Sequence, residues 1–289
     1  MNGEFYILLP VYNRKEVTRR FVQCLKSQSY TKYHLVLIDD GSTDGTAEMV
    51  REYIPSVIVL RGKGDWWWAG GLQKGIDWLR EREVDDSAII LFANDDVTFG
   101  PDYLEMAGLV MNERSGLLLL SKFSCDGGTV VAESGIVADF RRLTFKTASA
   151  EKDVNCLSTR GLFVRFGDLN CIGDFYPFLL PHYLSDYEYT IRAVRKGMRC
   201  ETSDLVFLCP NPDTTGYHHN FKERNFFSFL KKYFSIKSAG NPVYWSVFVI
   251  LSAPAPWIVP NLARIWFRSI KEINKRLFYL LREVFGRNK

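Results

Sequence analysis

The sequence predicts an α/β protein built on a mainly parallel sheet with helices on both faces. Two observations point there. Through the first 115 residues, short apolar runs alternate with stretches whose apolar residues recur at helical spacing, and the unusual polar residues collect where the runs end. Parallel strands need long crossovers, usually helical, so this alternation reads as right-handed βαβ units. With 289 residues, 47% of them hydrophobic, the chain can bury a sizeable core.

"FYILLP" reads as the first strand, and Val17, Phe21, Cys24 and Leu25 follow helical spacing after it. "HLVLIDD" is the second strand, with Ala47, Val50 and Ile54 marking the next helix. "SVIVLRG" is the third, followed by a helix through Leu72, Ile76 and Leu79. "AIILFANDD" is the fourth, followed by a helix through Leu104, Ala107 and Met111. Between about 115 and 170 the pieces are β-rich: "GLLLLSKF", "GTVVAESGIVAD" and "RRLTFKT". "LSDYEYTIRAVRKG" returns to helix, with Tyr187, Ile191 and Val194 on one face and Gly197 as its stop.

From 226 onward the chain is apolar and basic. Residues 238–263 carry no charge, but Pro254, Pro256 and Pro260 interrupt them and argue against one regular spanning helix. From Leu262 to Val284 the apolar residues keep helical spacing for six turns, with Arg268, Lys271, Lys275 and Arg282 largely opposite. Such a helix reads as a binder of membrane surfaces; the alternative is packing on the body of the protein or on a second copy, as a homo-oligomer. The last 26 residues hold eight Lys and Arg against two Glu, so they carry +6 and the other 263 sum to −2. A mildly acidic body with acidic strand ends disfavours nucleic acid as a partner.

Six scattered cysteines without a C-x-x-C pair argue against a zinc knuckle and against a disulfide scaffold. "MNGE" runs directly into the first strand without a basic region or cleavage site, so a cytoplasmic setting is expected.

Open parallel sheets bind ligands outside the carboxyl ends of their strands. Those ends here are "PVYN", "DDGSTD", "RGKGDWWW" and "NDDV". Asp39 and Asp40 precede a Gly-Ser turn, where Asp44 reads as a helix cap. Asn94, Asp95 and Asp96 crowd one strand end, which costs repulsion unless a cation or proton offsets it. All-oxygen ligands suit Mg²⁺ or Mn²⁺; a solvated acidic loop is the plain alternative.

"GKGDWWWAGG" sets three indoles in a row, and neither helix nor strand turns consecutive side chains onto one face. One or two pack beneath the sheet and the remainder forms a flat apolar wall, with Trp67 and Trp68 as the candidates. Gly70 and Gly71 allow close backbone approach to a ligand. Asp186 and Glu188 open a helix two residues apart and so diverge by roughly 200°. His218 and His219 pair in a polar turn, as metal or phosphate contacts do.

"LLPVYNRKE", "VLIDDGSTDGT", "GLQKGI" and "ANDDVTFGPDYL", in this order, resemble family 2 of the inverting, nucleotide-sugar-dependent glycosyltransferases with the GT-A (Rossmann-like) fold, over residues 4–220. "GDWWWAGGLQKGIDWL" and "LPHYLSDYEYTIRAVRKG" are similar to a rhamnosyltransferase-like subgroup of bacterial surface-polysaccharide pathways.

The resemblance implies a catalytic domain over 1–225, with a nucleotide-binding half to about 114 and an acceptor half after it, and a tail over 226–289. It implies that Pro10, Tyr12 and Asp40 line the nucleobase site, that Asp95 faces the ribose, and that Asp96 holds Mn²⁺ or Mg²⁺ with His218 or His219, His218 preferred. Where the family has Asp-x-Asp, this chain has Asn94 at the first position. The resemblance gives Asp186 the part of general base, with Glu188 second; from local sequence alone a helix cap is equally good for Asp186. The implied partners are a UDP- or dTDP-sugar donor and a saccharide or polyprenyl-linked acceptor, at the inner face of the plasma membrane.

Two rivals stand beside this reading. A nucleotidyltransferase on a related sheet would show a glycine-rich basic loop after the first strand, and "PVYNRKE" has no glycine. A non-catalytic sugar-binding scaffold would have no need of Asp95, Asp96 and Asp186 together.

Overall fold

The computed structural model describes residues 3–112, 114–125, 129–130, 135–211 and 225–286. Four parallel strands come first: β1 (Phe5–Val11), β2 (Tyr33–Asp39), β3 (Ile58–Arg61) and β4 (Ile89–Phe92), joined by α1 (Lys15–Lys26), α2 (Thr46–Tyr53) and α3 (Trp67–Glu81). Then follow β5 (Val97–Thr98), α4 (Tyr103–Met111), β6 (Leu117–Cys125), β7 (Thr129–Val130), β8 (Ile136–Asp139), β9 (Thr144–Thr147), β10 (Leu162–Arg165), α5 (Phe166–Ile172), α6 (Ser185–Arg195) and β11 (Arg199–Pro210). α7 (Phe226–Tyr233), α8 (Pro242–Ser252) and α9 (Ala255–Gly286) complete the chain.

The large sheet has the order β3-β2-β1-β4-β10-β6-β11-β5, with β7 paired to β6 and a separate β8–β9 hairpin. β10 runs antiparallel between β4 and β6, while β11 is parallel to β6. Side chains alternate across each strand. Phe5, Ile7 and Leu9 of β1 face a core with Phe21, Val50 and Leu104 from α1, α2 and α4. Leu8, Val36 and Ile90 face the other core, with Leu72, Ile76, Leu169 and Tyr189 from α3, α5 and α6. The two-sided layering expected from the alternation is present.

A third cluster joins α8 and the start of α9 to α6 and the hairpin through Phe248, Val249, Ile265, Ile191 and Leu143. The uncharged stretch breaks at Ala253, between two helices. The prolines do not break α9: Pro256 lies in its first turn, where the missing N–H has no partner to lose, and only Pro260 stands inside the helix. Among the described residues no helix is long and apolar enough to cross a membrane.

Candidate functional site

β1 is the strand from which the winding changes direction, towards β2 and β3 on one side and β4 on the other. A crevice must open at such a point, outside the carboxyl ends of the strands. A hollow of about 380 Å³ occupies it. Pro10, Tyr12 and Arg14 line it from the end of β1, Ile38 and Asp40 from β2, and Gly64, Trp67, Trp68 and Gly71 from the passage into α3. Asn94, Asp95 and Asp96 follow β4, and His182 and Lys237 close the circle from the approach to α6 and the α7–α8 turn. A larger groove of about 520 Å³ lies between the hairpin, α6 and α9. Its one acid, Asp139, accepts the Arg141 N–H, so the convergent chemistry belongs to the first hollow.

The acids after β2 divide their work. Asp39 is buried and accepts the Ser42 N–H at 2.8 Å, which shapes the turn. Asp44 accepts the N–H of Lys15 at 2.9 Å and of Thr46 at 3.0 Å, serving the starts of α1 and α2 together. Asp40 faces the hollow. Its Oδ1 accepts the Gly64 N–H at 2.9 Å, and its Oδ2 accepts those of Trp66 and Trp67 at 2.9 and 3.2 Å. It thereby does for α3 what a capping side chain does.

That carboxylate explains where α3 begins. The helix starts at Trp67, five residues before the Leu72 at which apolar spacing becomes visible, so Trp68, Gly70 and Gly71 lie in its first turns. Trp66 and Trp68 pack against the core under the sheet, and the Trp68 Nε1–H donates to Thr159 Oγ1 at 3.1 Å. Trp67 has a left-handed backbone, φ 56°, and its ring lies 6.1 Å from that of His182. Such a conformation costs about 1–2 kcal/mol in a bulky residue and persists only where surroundings enforce it. The glycines serve packing as well: a Cβ on Gly71 would meet Pro10 Cβ at 3.4 Å, and one on Gly70 would meet Pro177 at 3.5 Å. Gly71 lines the hollow and Gly70 does not.

After β4, Asp95 is buried and its Oδ2 accepts from Arg14 Nε and Thr18 Oγ1, both at 2.9 Å. Burial pushes its carboxyl above the usual range, against the pull of Arg14 and those hydrogen bonds. Asp96 stands 3.7 Å from the Arg14 guanidinium through Oδ2, while its buried Oδ1 and that of Asn94 have no hydrogen-bond partner among the described residues. Unpartnered hard oxygens beside a hollow fit a divalent cation that binds through one or two carboxylates and completes its shell with phosphate and water. No three His, Cys, Asp or Glu side chains converge as a ready-made metal cluster among the described residues. His218 and His219 lie outside them; the last described residue before them, Asn211, donates its N–H to the Asp96 carbonyl at 2.8 Å.

On α6 the two acids diverge as their spacing requires. Glu188 is buried and takes Arg192 through both oxygens at 2.9 Å, which leaves it occupied. Asp186 is half-buried in the first turn, where the capping position itself is held by Leu184 at φ 70°. It accepts the Tyr187 N–H at 2.9 Å and helps raise the buried Cys156 thiol, whose main cause is burial. Asp186 is not among the residues that line the hollow. His182, one turn earlier, is, and sequence reasoning passed over it although "LPHYLSDYEY" contains it. Burial, with Lys237 adding, lowers its imidazole to about 4, and Nδ1 has no partner among the described residues. Lys237 and Arg14 were also missed; no local pattern marks either.

The family profile described as glycosyl transferase family 2 matches residues 6–164. Glycosyltransferase AglE of Haloferax volcanii is 26% identical over 244 residues, 80% of this chain and 70% of that protein. Among solved structures, S. aureus TarS superposes with a TM-score of 0.60 at 17% identity, over 93% of this chain and 54% of that one, so the chain spans about half of TarS. The mannosyltransferase PcManGT from Pyrobaculum calidifontis, crystallised with GDP-Man and Mn²⁺, gives 0.57 at 16% identity over 96% of this chain and 79% of its own. At such identities these two likenesses are of fold, the GT-A arrangement of a curled, mainly parallel sheet. With more than half of its length matched by the profile, and acids from β2 and β4 facing one crevice, the chain belongs to glycosyl transferase family 2.

Proposed function

We propose that this chain transfers a sugar, with inversion, from a pyrimidine nucleoside diphosphate to a saccharide acceptor on a polyprenyl lipid, in the assembly of a bacterial surface polysaccharide. The observation that carries the reading is the meeting of Tyr12, Asp40, Trp67 and Asp96, from four separate segments, around one hollow at the switch point of the sheet. In this reading the base stacks on Tyr12 beside Pro10, with Asp40 accepting its ring N–H through a lone pair its three backbone donors leave free. Asp95 faces the ribose, and Trp67 and Trp68 wall the sugar. Rhamnose is the donor sugar proposed, on the strength of "GDWWWAGG" and "LPHYLSDYEY".

Asp96, with His218, would hold Mn²⁺ or Mg²⁺. A bound divalent ion supplies a Lewis acid for the negative charge of the departing diphosphate. Asp186 takes the proton of the acceptor hydroxyl as that oxygen attacks the anomeric carbon from the face opposite the diphosphate. The enzyme works at the inner face of the plasma membrane, held there by α9.

The test is a thermal-shift panel of UDP-, dTDP- and GDP-sugars with and without Mn²⁺, followed by transfer assays on the donor that stabilises most. Asp96→Ala should abolish the metal-dependent part of the shift. Asp186→Ala should retain donor binding and lose transfer by about a hundredfold or more. Full transfer by Asp186→Ala removes it as the base, and a response to GDP-sugars alone removes the pyrimidine.

A further inference from the structure

Among the described residues the hollow is lined by two basic side chains, Arg14 and Lys237, and they differ in their commitments. Arg14 is tied to the acids, donating to Asp95 at 2.9 Å and lying 3.7 Å from Asp96. Lys237 arrives from the α7–α8 turn, and no carboxylate of the described residues lies within ion-pair distance of it. Its ammonium rests 5.7 Å from the centre of the Trp67 ring.

Lys237 is exposed to solvent, and the face of Trp67 contributes about 0.5–1 kcal/mol to such a cation, enough to position the ammonium at the rim of the hollow without engaging its charge. None of the acids lining the hollow forms an ion pair with Lys237. His182 carries no charge near neutral pH, Asp40 is engaged by three backbone N–H groups, and Asp95 and Asp96 face Arg14 at 2.9 and 3.7 Å. The ring on which Lys237 rests also lies 6.1 Å from that of His182, so the lysine stem meets an aromatic surface at the edge of the hollow.

We propose that Lys237 is a phosphate-binding residue of the donor site, its ammonium meeting the diphosphate of the nucleotide sugar, so that the C-terminal helices contribute directly to the site. A compact point charge on a long stem suits a phosphate group. The proposal rests on the reading that the hollow takes a nucleoside diphosphate.

The experiment is calorimetric titration of the full chain and of Lys237→Met and Lys237→Arg with UDP, uridine, dTDP, thymidine and GDP, in Mn²⁺ and again in EDTA. For the base that the wild type prefers, Lys237→Met should weaken the diphosphate about tenfold and leave the nucleoside within about twofold. Lys237→Arg should recover most of the loss, and the effect should persist in EDTA. Equal binding of the diphosphate by wild type and Lys237→Met overturns the proposal while the functional reading stands. Equal weakening of nucleoside and diphosphate also overturns it, since Lys237 would then act by seating Trp67. If the wild type binds none of the nucleotides, the functional reading fails and takes this proposal with it.

Discussion

His182 lies 6.1 Å, ring to ring, from Trp67, and its imidazole is lowered to about 4 by burial first and by Lys237 second. In the unfolded chain it returns to its ordinary 6.5. Between these values the unfolded state takes up a proton that the folded state refuses, so stability falls as pH drops from about 6.5 to about 4 and levels off below. Asp95, raised by burial, works with the opposite sign, so the contribution of His182 must be isolated by difference. His182→Asn should flatten the dependence of the denaturant midpoint on pH across that window by one proton relative to wild type. Parallel curves for the two proteins would mean that the imidazole titrates normally. The acids of the site were legible because a carboxylate ending an apolar run stands out in sequence. Their division of labour was not, because the partners of Asp40 lie 24 to 27 residues further along the chain.

α3 shows the same limit in a longer piece of chain. No capping residue precedes Trp67, since the carboxylate that receives its first N–H groups comes from Asp40; the beginning of the helix was therefore invisible while Leu72, Ile76 and Leu79 were plain. β10 went unread for another reason: four residues paired on both sides carry an apolar run too short to distinguish from a helix fragment. The glycines of α3 also divide by position. A Cβ on Gly75 would stand 2.9 Å from both Ile38 and Leu8, at the closest approach of helix to sheet, whereas at Gly70 the nearest atoms are 3.5 Å away. Gly75→Ala should cost about 1–3 kcal/mol through overpacking. Gly70→Ala should be neutral or gain up to about 1 kcal/mol from helix propensity. Chemical denaturation of the two variants decides it: equal effects would show that the helix adjusts its distance from the sheet.

The charge asymmetry and amphipathic spacing of the last 26 residues were visible in sequence, but the part of the C-terminal region that belongs to the folded body was not. Phe248 packs 5.9 and 5.7 Å from the rings of Phe140 and Phe145, and Asn261 donates to the Phe140 carbonyl at 2.8 Å. Among the described side chains of α9, Asn261, Ile265 and Ser269 are buried, with Ile258 and Leu262 partly buried against the third cluster. Trp266, Phe267, Ile270 and Phe278 are 41%, 72%, 55% and 63% exposed, among the exposed bases Arg268, Lys271 and Lys275. Large apolar side chains set among cations fit the interface of an anionic bilayer, where buried apolar area and attraction to acidic headgroups add. A packing partner of protein would be expected to match the apolar residues without needing the bases. The full chain should therefore sediment with vesicles containing phosphatidylglycerol and not with phosphatidylcholine alone, and salt should weaken binding. Phe267→Ser with Ile270→Ser should reduce vesicle binding about tenfold or more while leaving the melting temperature unchanged, because neither side chain is buried. Concentration-dependent dimerisation lost in the same variant, with no vesicle binding by the wild type, would assign this face to a second copy of the chain instead.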